Sequence, residues 1–82
     1  MLQKQSLPLD SIRVPVKRAK TLDPQKVEDL ANDVLENGQT TPIRVRKDGE
    51  NYVLVEGYHR LEALRALGED AIDAYIVHAR LH

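Results

Sequence analysis

The chain has 82 residues, 12 Lys and Arg against 13 Asp and Glu, a formal net charge of -1 and 41% hydrophobic residues. This length and ordinary composition predict one globular domain over residues 1–82. The near-neutral charge excludes a wholly basic nucleic-acid binder and leaves room for a local basic patch. Cysteine is absent, which removes disulfides, thiolate nucleophiles and thiolate metal sites. With three Tyr and neither Phe nor Trp, the core must come mostly from Val, Leu, Ile and Ala. No apolar run approaches a membrane span, and Met1-Leu-Gln-Lys-Gln-Ser lacks the apolar segment of a signal peptide. The expectation is a cytoplasmic protein with no membrane partner. A domain this small is marginally stable alone, which leaves monomer and homodimer open.

Residues 1–6 are polar and read as frayed. Leu7 to Val14 reads as a short strand, with Pro8 suited to a strand start or edge. Around the next connection, Val14 to Thr21, Arg13, Lys17, Arg18 and Lys20 fall within eight residues. Such a cluster is either a solvated basic loop or a wall of positive charge beside an anion.

Asp23-Pro24 is a helix start: Asp23 can cap free N–H groups, and Pro24 fits the first helical position. Val27, Leu30, Ala31, Val34 and Leu35 follow at i, i+3, i+4, i+7 and i+8, one apolar helical face. Asn37-Gly38 ends this helix, because glycine takes the left-handed conformation of a helix stop. Lys26 lies in the first turn, where a cation opposes the helix dipole unless an anion binds nearby.

Ile43 and Val45 alternate with Arg44 and Arg46, a half-buried strand. Asp48-Gly49 marks a turn, and Tyr52-Val-Leu-Val55 returns as a strand apolar enough for burial on both faces. Residues 43–55 are therefore a hairpin. Its second strand runs into Glu56-Gly57-Tyr58-His59-Arg60, after which Leu61, Ala63, Leu64, Ala66 and Leu67 form the inner face of a second helix stopping at Gly68. Ala71 to Val77 is a final strand, and His78 to His82 reads as a loose tail. The expected class is α+β: a small mixed sheet from residues 7–14, 43–47, 52–55 and 72–77, with two main helices near 24–37 and 59–67.

The turn at Gly57 is the chemical focus. A helix start presents unpaired N–H groups and the positive end of the dipole, which suit an anion. A glycine without Cβ lets a ligand approach the backbone, and His59 and Arg60 add charge. The alternative is that Gly57 only makes a turn, with His59 and Arg60 solvated. Glu56 and His59 flank the glycine, and either could handle a proton near a bound phosphate; Glu56 could equally pair with Arg60 or the basic loop. His59, His78 and His82 share no metal-ligand spacing, so no metal site is assigned. Neither Ser6 nor Ser11 lies on a strand-to-helix turn, and the common Gly-rich phosphate loops are missing.

The order of these pieces resembles the ParB/sulfiredoxin fold. Leu7-Pro-Leu-Asp-Ser-Ile, Leu22-Asp-Pro-Gln-Lys-Val-Glu-Asp-Leu, Thr41-Pro-Ile-Arg-Val and Tyr52-Val-Leu-Val-Glu-Gly-Tyr-His-Arg-Leu-Glu-Ala-Leu carry the resemblance, from about Leu7 to Val77. Sulfiredoxins have Gly-Cys-His-Arg at the turn and bind ATP phosphates there, which implies phosphate contacts at Gly57, Tyr58, His59 and Arg60. The Lys of the Asp-Pro-x-Lys segment matches Lys26, and an Arg after the first strand matches Arg13. ParB has Gly-Glu-Arg-Arg there and binds CTP with a metal ion; Gly57 and Arg60 match that pattern. Tyr58 stands where sulfiredoxin has its nucleophilic Cys and ParB its acidic residue, and no helix-turn-helix follows within these residues.

The resemblance therefore implies a nucleotide-binding protein that hydrolyses ATP or another NTP. Gly57 and the following N–H groups would cradle phosphate. His59 and Arg60 would stabilise charge in phosphoryl transfer, with Glu56 as the further catalytic candidate. Lys26, Arg13 and Lys17 would neutralise the remaining charge. Hydrolysis would bring in a divalent cation such as Mg²⁺, with Glu56 as candidate ligand. A second reading is a non-catalytic, partition-like or regulatory module that binds DNA or a protein through Arg13 to Lys20. A third is a catalytically dead peroxiredoxin partner. With no thiol, the chain is expected to give no ATP-dependent repair of a sulfinylated peroxiredoxin; repair by the pure chain, read by intact mass as loss of one oxygen from the sulfinate, would contradict this.

Overall fold

The computed structural model describes residues 3–78. The described residues form β1 (Gln3–Pro8), β2 (Ile12–Arg13), α1 (Val16–Ala19), α2 (Pro24–Asn37), β3 (Ile43–Asp48), β4 (Asn51–Glu56), α3 (Tyr58–Ala66) and β5 (Ala71–Val77), with a 3₁₀ turn at Leu9–Ser11. The five strands make one mixed sheet in the order β1-β5-β3-β4-β2. β1 pairs antiparallel with β5, and β3 with β4; β5–β3 and β4–β2 are parallel.

Strand alternation builds the core. Leu7, Ile72, Ala74, Ile43, Val45 and Leu54 share one face of the sheet and are buried with Tyr58, Leu61 and Leu64 of α3. α2 packs on α3. Val53 points to the opposite face and is buried there, in a cavity it lines with Val14, Pro15 and Val16 of the α1 segment. β4 is thus covered on both faces, as its continuous apolar run requires.

Four expectations change. Gln3 to Ser6 are exposed, yet they are strand, paired with Ile76 to Asp73. Backbone hydrogen bonds hold this edge, and hydrophobic patterning does not register them. The strand expected over 7–14 is broken by the 3₁₀ turn, where the Ser11 hydroxyl donates to Pro8 O at 2.7 Å. The connection expected as a loop over 14–21 winds into α1 just after Pro15. The apolar faces of both helices are narrower than their spacing implies: Leu35 is 70% exposed, no residue of α2 is fully buried, and Ala66 is exposed. On the core face α3 makes the main helix contact with the sheet, and α2 packs chiefly on α3, burying only the stripe that faces it. Residues 1–2 and the expected tail from Ala79 onward lie outside the described residues.

Local chemistry fixes the remaining joints. Asp23 Oδ1 accepts from Gln25 N at 3.0 Å, closing the start of α2, and the Gly38 N–H donates to Val34 O at 2.7 Å at its end. The Gln39 amide bonds both backbone groups of Asp73, accepting from its N at 2.7 Å and donating to its O at 2.9 Å. That clamp ties the α2–β3 connection to β5. Truncation should separate core from surface. Leu61→Ala, at 0% exposure, should cost about 2–5 kcal/mol in a denaturant melt. Leu35→Ala should stay within about 0.5 kcal/mol, as expected for an exposed substitution.

Candidate functional site

β4 ends at Glu56 and α3 begins at Tyr58, leaving one residue to reverse the backbone. That residue, Gly57, has φ +106° and ψ 32°, a region that side chains with a Cβ rarely enter. A Cβ on it would lie 2.6 Å from Ile43 Cγ2 and 3.0 Å from Ile43 Cβ. The glycine is required by its backbone angle and by Ile43, the first residue of β3. The missing Cβ makes room for the core, so it is not an opening toward a ligand. Just before the turn, the β3–β4 register jumps: Arg44 faces Glu56 while Val45 faces Leu54. The irregularity leaves Val55 unmatched and re-aims the strand end.

Among the described residues, no side chain caps α3. Leu61 N donates to Gly57 O at 2.9 Å, the first bond of the helix. The N–H groups of Tyr58, His59 and Arg60 precede that bond and lack carbonyl partners within the helix. The start of α2 differs, because the Asp23 carboxylate closes it. The two helix starts touch: the Asp23 N–H donates to His59 Nε2 at 3.0 Å. As an acceptor that nitrogen carries no proton, so the neutral ring has its N–H at Nδ1.

The structure treats the expected site residues differently. The Tyr58 ring is buried in the core at 9% exposure, with its centroid 5.8 Å from that of His59, so Tyr58 offers the turn its backbone N–H. Arg60 is half-buried, and its guanidinium has no hydrogen-bond or ion-pair partner among the described residues. Glu56 is exposed and forms no ion pair with Arg60. Lys26 is exposed in the first turn of α2, three residues after Asp23, and Lys17 is exposed on α1.

Arg13 points elsewhere. It sits opposite Val53, about 10 Å of strand before Glu56, and is paired with Asp48 at 2.6 Å near the hairpin end. Another cation takes its place at the turn: the Arg18 guanidinium donates to Val55 O. In the sequence Arg18 is only one member of a basic cluster. Its direction depends on the α1 turn, whose first bonds run to Pro15 O. A cavity of about 300 Å³ opens between the start of α2 and the second half of α3, lined by Leu22, Pro24, Val27, Glu62, Arg65 and Ala66. No spacing rule pointed to it, since its walls come from two helices. Among the described residues there is no cluster of three or more potential metal-ligating side chains and no helix long and apolar enough to cross a membrane.

A strand, a left-handed glycine and an uncapped helix, on a β1-β5-β3-β4-β2 sheet, define the class. Residues 2–81 match the ParB N-terminal domain family, and the chain belongs to it. It is 37% identical over 62 residues to a probable chromosome-partitioning protein ParB of Campylobacter jejuni, covering 76% of this chain and 22% of that protein. It is also 37% identical over 62 residues to the chloroplastic/mitochondrial sulfiredoxin of Arabidopsis thaliana, covering 76% of this chain and 50% of the relative. The crystal structure of Arabidopsis thaliana sulfiredoxin superposes with TM-score 0.84 at 32% identity, over 94% of this chain and 86% of that one. The C-terminally truncated ParB of Caulobacter crescentus, complexed with CTP-gamma-S, shares the fold at TM-score 0.83 and 22% identity, over 95% of this chain and 46% of that one. The chain thus spans no more than half the length of these two sequence relatives, and its fold is that of the ParB/sulfiredoxin superfamily.

Two glycines test the reading of the turn. Gly38 is extended at ψ -176° rather than in the left-handed helical conformation expected of the stop; with φ +72° and nothing within 4 Å, Gly38→Ala should cost about 1–3 kcal/mol from its backbone angles alone. Gly57→Ala adds the collision with Ile43 and should cost about 2–5 kcal/mol by chemical denaturation.

Proposed function

We propose that the chain binds a nucleoside triphosphate, ATP or another, with its phosphates on the N–H groups of Tyr58, His59 and Arg60, and that it hydrolyses it. The observation carrying this reading is the uncapped start of α3 beside the unpaired, half-buried Arg60. Three aligned donors and a dipole end favour an anion, and Arg adds a bidentate donor suited to phosphate. The CTP-gamma-S complex of the Caulobacter crescentus relative supports a nucleotide as the ligand. The apolar cavity between α2 and α3 is of a size and character to take the base. Lys26 and Lys17 neutralise outlying charge, and Arg18 can exchange its bond to Val55 O for a phosphate oxygen.

In hydrolysis, water attacks the γ-phosphorus and the bond to the β–γ bridging oxygen breaks, giving the diphosphate and inorganic phosphate. Arg60 and the α3 N–H groups stabilise the charge that develops on the phosphoryl oxygens. With Nε2 occupied by Asp23, His59 contributes its Nδ1–H to a phosphate oxygen. Glu56, exposed at the strand end, takes the proton of the attacking water. Where Mg²⁺ accompanies the triphosphate, Glu56 would hold it and the ion would neutralise phosphate charge; a Glu56 carboxylate so engaged would not serve at the same time as the base.

Membership in the family supports a second reading, a partition-like or regulatory module contacting DNA or a protein through Arg13 to Lys20. In that segment Arg13 and Arg18 are already engaged, with Asp48 and Val55 O, which leaves Lys17 and Lys20 to make the contacts. Calorimetric titration of ATP, with and without Mg²⁺, separates the readings. Arg60→Ala should lose about 1.5–3 kcal/mol of binding, and Lys26→Ala under about 1 kcal/mol because it is exposed. Absence of binding by wild type, or equal affinity in wild type and Arg60→Ala, would favour the module.

A further inference from the structure

The face of the sheet opposite α3 carries a second, separate arrangement of charge. Strand pairing places Lys4 of β1, Tyr75 of β5 and Arg44 of β3 in one row. Val77, Arg46 and Val53 form the next row. Alternation turns these side chains away from the core, because Ile43, Val45, Ile72 and Ala74 take the other face. The α1 segment covers this outer face at β4 and β2. Over β1, β5 and the start of β3 it stays open, with Arg46 at the rim of the α1-lined cavity: Lys4, Arg44 and Arg46 are exposed, Tyr75 is half-buried, and the three cations form no ion pairs among the described residues. The carboxylates on this face are Asp73, Glu56 across from Arg44, and Asp48, which is paired with Arg13. Glu28, Asp29, Asp33 and Glu36 are exposed on α2, in the opposite layer, so a net charge of -1 conceals a segregated distribution.

We propose that this open face binds single-stranded nucleic acid. Adjacent strands lie about 4.8 Å apart, so Lys4 and Arg44 flank the Tyr75 ring at neighbouring positions, and Arg46 continues the cationic track one repeat along β3. Cations that follow a phosphate backbone beside an aromatic ring on which a base stacks are the two components of single-strand recognition. A duplex keeps its bases stacked inside and could use the cations but not the ring. An acidic peptide would likewise have no use for Tyr75. This surface is distinct from the Gly57 turn and from the Arg13 to Lys20 segment, and it does not depend on nucleotide binding.

Fluorescence anisotropy with a labelled oligo-dT of about 15 nucleotides tests the proposal. Wild type should bind at low salt, with affinity falling linearly on a log–log plot against salt. Arg44→Ser/Arg46→Ser should weaken binding about tenfold or more. Tyr75→Ala should weaken it roughly five- to a hundredfold while Tyr75→Phe retains it; circular-dichroism melts confirm that each variant is folded. No binding by wild type at low salt would overturn the proposal. So would a duplex or polyglutamate bound as tightly as oligo-dT, or binding indifferent to Tyr75→Ala. If a Tyr75 variant fails to fold, the Arg44→Ser/Arg46→Ser variant decides, and unchanged affinity there overturns the proposal.

Discussion

Ile43 occupies the space where a side chain on Gly57 would stand, and that contact organises the molecule. It lets β4 end against the first residue of β3 and forces the backbone through a left-handed angle at a single residue. A helix entered this way has no preceding Ser, Thr, Asp or Asn to fold back over its first turn, so its N–H groups stay uncapped. The same constraint that closes the core therefore leaves a positive, donor-rich end at the surface. A larger residue at position 57 would break both the packing and the entry into α3.

The second helix is held to this point by a polar contact rather than by burial. Asp23 works in two directions: its carboxylate caps α2 through Gln25, and its backbone N–H reaches the His59 ring. α2 has no fully buried side chain, so this link and the shared stripe with α3 locate its start. The cavity between the helices follows from that arrangement, with Leu22 and Pro24 on one wall and Glu62, Arg65 and Ala66 on the other. Glu62 and Arg65 are themselves paired at 3.2 Å, which sets the polar rim of an otherwise apolar pocket.

Much of this was legible in the residues. The Asp23-Pro24 start, the Gly38 stop and the β3–β4 hairpin appear where capping and alternation place them, because those signals act within a few residues. Elements held by distant partners were not legible. Gln3 to Ser6 have no hydrophobic pattern and become strand only because β5 offers a ladder. The burial of Leu35 could not be decided from its helical spacing, since that depends on how many layers flank α2. At the turn, the positions of the glycine and the arginine were visible in sequence, and the absence of an Arg60–Glu56 pair was not. The reason for the glycine was not, because Ile43 is fourteen positions away. The exchange of Arg13 for Arg18 beside the turn likewise depends on where the α1 segment folds back, which no local pattern specifies.

The central claim is that the uncapped start of α3 receives phosphate. Titrating ATP into ¹⁵N-labelled protein and following the backbone amide resonances tests it most directly, since those N–H groups are the proposed ligands. The account predicts that the largest shifts fall on Tyr58, His59 and Arg60, with smaller ones at Asp23 and the residues lining the α2–α3 cavity. Saturating shifts confined to the outer sheet face or to Val16–Ala19, with the three α3 amides unmoved, would contradict it.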